Sequence, residues 1–244
     1  MQNLNYGVIG NCSTAALISE KGAIEWLCFP EFDSPSVFAA ILDRQKGGHF
    51  GFKVTSDYKV TQSYVPHTNI LSTHFESEEG AFDVVDFMPC YPTSDGKDFY
   101  RPAEIYRYIR WAKGRPRMKV DYRPAPNYAR GKTIYNVTSQ YVETYSSVEN
   151  KDRQYLYSSL DLKKVVNHDE ITLEKDEFFL FSFNEKVIPV DIEREKLEYC
   201  RTLVYWLNWT DHAKRYTRYN EVIERSMLVL KLMTYRNGAV MAAV

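Results

Sequence analysis

Charge of one sign is the first thing this sequence lacks: 31 Lys and Arg stand against 32 Asp and Glu over 244 residues, a formal net charge of -1 at pH 7. Without a basic excess there is no electrostatic footprint for nucleic acid or for an anionic bilayer, so neither partner is expected. Cysteine is scarce too. Cys12, Cys28, Cys90 and Cys200 include no C-x-x-C pair and no histidine at zinc-finger spacing, which reads as buried free thiols in a reducing compartment, the cytoplasm. The opening residues Met1 to Gly7 have neither a basic nor an apolar leader region. No later run reaches membrane-span length, so a soluble, unexported chain is expected. Walker, dinucleotide and G-x-S-x-G fingerprints are missing, which removes most support for nucleotide and serine-hydrolase chemistry. The separations of His49, His67, His74, His168 and His212 place no two of them on one helix face beside a carboxylate. No metal site and no cofactor are expected.

What is present from Tyr6 to about Phe183 has the period and punctuation of strands. Ala15 to Ile18 and Ala23 to Leu27 flank Glu20-Lys21-Gly22, and Ile70 to Phe75 and Ala81 to Met88 flank Ser77 to Gly80. Both arrangements read as hairpins and therefore as antiparallel sheet. Met118, Val120 and Tyr122 alternate with Lys119, Asp121 and Arg123, as in a strand with one face on a core and one in water. Phe178 to Phe183 is more uniformly apolar and is expected between two layers. Short turns without intervening helices favour a mainly β fold, an antiparallel β-sandwich.

After Pro189 the period changes. Leu197, Cys200, Val204 and Leu207 lie three or four apart, and Glu193 to Tyr219 contains no Pro or Gly, so a linker helix is predicted there. A second helix is predicted from Asn220, as N-cap, to Tyr235, with Val222, Ile223, Val229, Leu230, Leu232 and Met233 forming a broad buried face. Ala239 to Val244 then follows as a wholly apolar run. This segment reads as the opening helix of a further domain. Deprived of neighbours, it is expected to leave apolar side chains wet and to favour self-association.

Trp26 to Ala40 carries the densest local signal. Ser34 or Asp33 suits an N-cap and Pro35 a first helical turn, which predicts a short helix over Val37 to Leu42. The same loop offers an aromatic ring and a carboxylate for a sugar, making Phe32, Asp33 and Ser34 the candidate substrate-contact residues. Asn127 and Arg130, in the loop from Arg123 to Gly131, are placed to reach a neighbouring domain, unless Pro124 and Pro126 merely end a strand. Acidic residues are plentiful, but nothing in the sequence pairs two of them across a scissile bond.

Four segments, in order, resemble the N-terminal part of bacterial and archaeal proteins of glycoside hydrolase family 15, the glucoamylase, glucodextranase and trehalase-like group. They are Ile9 to Leu17, Gly22 to Pro35, Val85 to Pro89 and Arg225 to Leu232. The family usually has Asp where this chain has Asn11 and Glu25. The resemblance implies an antiparallel super-sandwich over residues 1–190, a helical linker over 191–219 and, over 220–244, the start of an (α/α)₆ barrel. In the family that barrel carries two catalytic glutamates of an inverting glycosidase acting on α-linked glucosides. Both lie beyond the point corresponding to Val244, so no catalytic residue is assigned here and the chain is expected to be inactive alone. Its expected partners are the barrel of the same polypeptide and, through it, an α-glucoside substrate. A different reading makes the chain a free-standing carbohydrate-binding sandwich with Trp26, Phe32 and Tyr128 as an exposed sugar platform.

Overall fold

A computed structural model describes residues 4–242 apart from Ser56, Asn150, Pro189, Arg215 and Arg236. Met1 to Asn3, the boundary at Pro189 and the end of the apolar run at Ala243 and Val244 lie outside the described residues.

The chain runs through β1 (Tyr6–Gly10), β2 (Ala15–Ser19), β3 (Ile24–Cys28), β4 (Ser36–Phe38), β5 (His49–Lys53), β6 (Lys59–Tyr64), β7 (Leu71–Ser77) and β8 (Gly80–Phe87). A small hairpin, β9 (Tyr91–Pro92) and β10 (Phe99–Tyr100), leads to β11 (Glu104–Gly114), β12 (Arg117–Arg123), β13 (Thr133–Val137), β14 (Val142–Ser146) and β15 (Gln154–Ser158). Helix α1 (Leu162–Asn167), strands β16 (Glu170–Thr172) and β17 (Glu177–Phe183), and helices α2 (Ile192–Asp211) and α3 (Asn220–Leu232) complete it. Pairing is antiparallel within two large sheets, one of seven strands in the order β1-β2-β3-β5-β12-β16 with β4 beside β3, the other of eight in the order β13-β14-β15-β17-β11-β8-β7-β6. Both hairpins expected from sequence are present, as β2–β3 and β7–β8.

The sheets stack because each offers one apolar face to the other. Ile24, Phe38, Phe50 and Val120 of one meet Phe82, Val84, Ile105, Phe179 and Phe181 of the other. Phe178 and Leu180 alternate with Phe179 and Phe181 and join a second cluster with Val85, Phe87, Tyr205, Trp206, Leu228 and Leu232. The eight-stranded sheet is thus buried on both faces, under its partner sheet on one side and under α2 and α3 on the other, which is why β17 is apolar at every other position on each face.

One charged residue crosses the inner core. Arg107 of β11 is fully buried between the ring faces of Phe50 and Phe52, its guanidinium carbon 4.6 and 4.7 Å from the two centroids. It donates Nε–H to Asp86 Oδ1 on β8 at 2.7 Å and Nη2–H to Asp86 Oδ2 at 3.2 Å. Its Nη1–H goes to the Phe50 carbonyl at 2.6 Å, and a further bond reaches the carbonyl of Gly22. Gly22 holds φ +73° in the β2–β3 turn, a conformation that favours glycine.

Several local expectations are corrected. Val37 to Leu42 forms no helix: Ser36–Phe38 is strand β4, in which Phe38 pairs with Leu27, and Ala39 and Ala40 donate to the carbonyls of Gly47 and Gly48. Burial of Val37 and Phe38 in the sandwich overrides the local capping signal. Asp121 does not face water; it is 3 % exposed and accepts from His49 at 2.8 Å, Lys53 at 2.6 Å and Arg123 at 2.6 Å. Against the opposing effect of burial, the hydrogen bonds from Lys53, His49 and Arg123 hold its carboxyl far below the ordinary carboxylate range. Cys12, Cys28 and Cys90 are buried free thiols as expected, but Cys200 is exposed.

The helices differ most. Helix α2 is capped by Asp191, which accepts from the Arg194 N–H at 2.8 Å. Its expected stripe of Leu197, Cys200, Val204 and Leu207 points outward, with exposures of 49 % at Leu197 and 63 % at Val204. The face laid on the sheet is instead Glu195, Glu198, Thr202, Tyr205, Trp206 and Thr210. In α3 only part of the expected face is covered: Leu232 is buried, Ile223, Val229 and Met233 half-buried, and Val222 and Leu230 exposed, while Leu228, outside that expected face, is buried. Asn220 is not the cap; that position is Tyr219, and the Asn220 side chain binds the backbone of Tyr216. Arg225 fastens α3 to the sandwich by donating to the Thr68 carbonyl at 2.9 Å and to the Asn69 side chain.

Arg107→Met should cost about 3–5 kcal/mol of stability in urea unfolding, because it strands the Asp86 carboxylate in the core. Adding Asp86→Leu should recover a large part of that loss. If the double variant is no more stable than Arg107→Met alone, the pair is not the source of the cost.

Candidate functional site

The loop following β3 places Phe32, Asp33 and Ser34 in three different settings. Phe32 is 5 % exposed; its N–H donates to the Ser13 carbonyl at 3.0 Å, and its ring meets Tyr235 edge-on at 5.5 Å. Ser34 turns back, accepting the Glu31 N–H on Oγ at 3.0 Å, and its carbonyl accepts from Tyr128 Oη–H at 3.4 Å. Asp33 is exposed. The three neighbours in sequence therefore present one carboxylate to solvent and not a joint aromatic and acidic face. Burial of Phe32 also removes it from any exposed platform with Trp26 and Tyr128. The turn beneath the loop is pinned by Asn11, whose Oδ1 accepts from the Ser13 and Thr14 N–H groups, both at 3.1 Å, while its Nδ2 donates to the Pro102 carbonyl at 2.8 Å. An amide serves both ends here, where a carboxylate accepts only. Asn127, in the other loop singled out, donates to Glu149 at 2.6 Å.

A cleft of about 1330 Å³ lies elsewhere, between the β9–β10 hairpin and helices α2 and α3, lined among others by Tyr91, Tyr100, Glu198, Val204, Trp209 and Met227. Beneath one wall sits an acidic group that the sequence reading missed. Tyr91 Oη–H donates to Glu198 Oε2 at 2.7 Å, and Arg201 donates to Glu198 Oε1 at 3.3 Å. Tyr106 Oη–H donates to Glu104 Oε2 at 2.9 Å and accepts from Arg194 Nε at 3.1 Å. Burial pushes the Glu104 carboxyl up to about 7 despite the pull of Tyr106 and Arg194. Glu195 is 1 % exposed with no hydrogen bond to either oxygen among the described residues, and burial followed by the charges of Asp86, Glu198 and Glu104 lifts it well above the ordinary range. The available signal was the i, i+3 spacing of Glu195 and Glu198, which puts both on one helix face.

These carboxyls do not form a reactive pair. Glu198 and Glu104 are committed to tyrosines and arginines, and Glu195 is sealed from solvent. What the cluster does is anchor α2: Tyr91 of the hairpin reaches the helix through Glu198, and Tyr106 of the sheet reaches it through Arg194. Among the described residues no group of three His, Cys, Asp or Glu is placed to hold a metal ion. No described helix is long and apolar enough to cross a membrane.

Glu195 and Glu104 are carboxyls whose folded pKa exceeds the unfolded value, so the folded state binds more protons than the unfolded state above about pH 4.5. Their effect is neutral below that point and destabilises progressively above it; for Glu104 the loss levels off once pH passes about 7, where the folded group ionises too. The unfolding temperature should therefore fall from pH 5 to pH 8, and Glu195→Gln should raise it at pH 8 and flatten the slope. Asp121, with its depressed pKa, loses its contribution only at more acid pH and stays outside this window. A variant with the parental slope would show that Glu195 is not the titrating group.

The profile of the family described as trehalase-like, N-terminal, matches residues 5–150. The trehalase of Thermoplasma acidophilum is 29 % identical over 236 residues, covering 93 % of this chain and 39 % of that protein. The trehalase of Mycolicibacterium smegmatis is 26 % identical over 98 % of this chain and 39 % of its own length. Trehalase 1 of Sulfolobus acidocaldarius is 51 % identical across a shorter stretch of 85 residues. The chain thus spans about two-fifths of the length of these longer relatives. With the profile covering more than half of its residues, from β1 through β14, this chain belongs to the trehalase-like N-terminal domain family.

Proposed function

We propose that this chain is the N-terminal, non-catalytic part of a trehalase-like glycosidase of the family 15 type, and that it acts as the scaffold on which the catalytic part is built. The observation that carries this is one of coverage: 93 to 98 % of this chain matches proteins named trehalase, yet accounts for only 38 to 40 % of their length. In this reading residues 1–190 are the sandwich, 191–219 a helical linker and 220–244 the beginning of an (α/α)₆ barrel. An inverting acid and base standing about 6.5–9.5 Å apart would belong to that barrel. Trehalose is the substrate the relatives' names suggest. The four free cysteines suit a reducing compartment, the cytoplasm.

Asp33 is the one residue of the three sequence candidates whose side chain is available to a neighbouring domain. We assign it to the rim of the substrate site, with Phe32 and Ser34 holding the loop that carries it. Phe32 does so by packing on Tyr235, which follows α3.

Two measurements test the reading. The chain alone should release no glucose from trehalose, maltose, isomaltose or dextrin above a buffer control, whereas its fusion to the C-terminal part of the Thermoplasma acidophilum trehalase should hydrolyse trehalose. Glucose release by the chain alone that is lost on substitution of one of its own carboxylates would sink the proposal. In the active fusion, Asp33→Ala should lower kcat/KM by about tenfold, roughly 1.4 kcal/mol, at an unchanged unfolding temperature. Equal kcat/KM in the two folded proteins removes Asp33 from the site.

A further inference from the structure

The apolar stripe of α2 faces the wrong way for a helix that serves only this sandwich. Leu197, Cys200, Val204 and Leu207 are spaced three, four and three apart, the a and d positions of two heptads, the pattern that accepts the side chains of a second helix packed alongside. Yet Leu197, Val204 and Leu207 are 49, 63 and 39 % exposed, and Cys200 is exposed as well. The opposite face of the helix is already occupied by the sheet. It meets the sheet through an acidic cluster that a helix with a free choice of orientation would turn to water, because buried carboxyls such as Glu195 are costly. The outward seam is therefore not surplus: α2 has two buried faces to satisfy, and this chain covers one.

We propose that this seam, together with the adjoining cleft, seats a helix from the polypeptide that the trehalase relatives carry beyond the segment shared with this chain. The inference rests on the functional reading above and deepens it by naming where the two parts meet. Three observations select that occupant. More than half of each long relative lies outside the shared segment. Met227 and Lys231 of α3 line the same cleft as Cys200 and Val204 of α2, so polypeptide continuing past α3 starts at its edge and meets the seam at an effective concentration on the order of millimolar. Arg194, Arg201 and Lys231 line the cleft against a single carboxylate, Glu198, which is already bonded to Tyr91 and Arg201. The occupant is accordingly an amphipathic helix with apolar residues at heptad spacing and carboxylates on the flank that meets Arg201 and Lys231.

Cys200 supplies the probe, since it lies in the seam and is exposed while Cys12, Cys28 and Cys90 are buried. Its reaction with a thiol reagent, located by peptide mass, is followed in the chain alone and in the fusion to the C-terminal part of the Thermoplasma acidophilum trehalase. The same reaction is run with that part added in trans, so that a strained junction does not decide the outcome. The proposal expects rapid labelling in the chain alone at dilution and at least about tenfold slower labelling with the C-terminal part present. Val204→Asp should restore rapid labelling in its presence and leave the unfolding temperature of the chain alone unchanged. Equal labelling with and without the C-terminal part overturns the proposal. Protection that grows with the concentration of the chain alone overturns it in favour of a second copy, and a large fall in the chain's own unfolding temperature in Val204→Asp shows the seam buried within this chain. Trehalose hydrolysis is scored separately: protection without hydrolysis keeps the docking and rejects the catalytic reading, while hydrolysis with Cys200 still reactive does the reverse.

Discussion

The buried guanidinium of Arg107 is the contact on which the stacking of the two sheets depends. A positive charge in the centre of an aromatic core is tolerable only when every donor finds an acceptor. Here the acceptors come from both layers: a carboxylate on the neighbouring strand of its own sheet, and the backbone carbonyls of Phe50 and Gly22 across the gap. Apolar packing alone allows two sheets to slide over one another at small cost. Directional bonds to two fixed carbonyls do not, so Arg107 sets the alignment of the layers while Phe50, Phe179 and their neighbours supply most of the burial.

The eight-stranded sheet transmits that alignment outward. Along β11, Ile105, Arg107 and Ile109 face the inner core while Tyr106 and Tyr108 face the helices. The strand whose arginine bonds to carbonyls of the other sheet therefore also holds the tyrosine that reaches Glu104 and Arg194. The position of α2 is in this way tied through a single strand to the register of the sandwich. The loop bearing Asp33 is fixed from the same framework, through the Asn11 turn and the ring of Tyr235. A rigid base that presents a helix seam and one loop carboxylate at set places is what a scaffold for a second domain requires.

Much of this was legible residue by residue, and the failures have a common cause. Hairpins such as β2–β3 and β7–β8 are written in local alternation and Gly-containing turns. The two-sided burial of β17 is written in its four consecutive apolar residues, Phe178 to Phe181. Ser34-Pro35 is an equally local signal, and it misled because the partner that makes Ser36–Phe38 a strand, β3, is chosen by tertiary packing. Helical spacing identified which residues of α2 share a face but carries no information about which face meets the sheet, and the apolar face turned out to be the outer one. Phe32 and Asp33 are adjacent in sequence and opposite in exposure because the tight turn closed by the Ser34 N–H on the Glu31 carbonyl leaves Phe32 against Tyr235 and Asp33 in solvent. The acidic cluster stayed hidden because Glu104 and Glu195 are brought together only by the fold.

The buried carboxyl of Glu195 makes the proton a component of the folding reaction. Burial raises its folded-state pKa above the unfolded value, so in the interval between the two, folding withdraws a proton from the surrounding buffer. The heat measured on unfolding then contains the ionisation heat of whichever buffer receives that proton. Unfolding enthalpies taken in phosphate and in an amine buffer at one pH differ accordingly, although the protein has made and broken the same contacts in both.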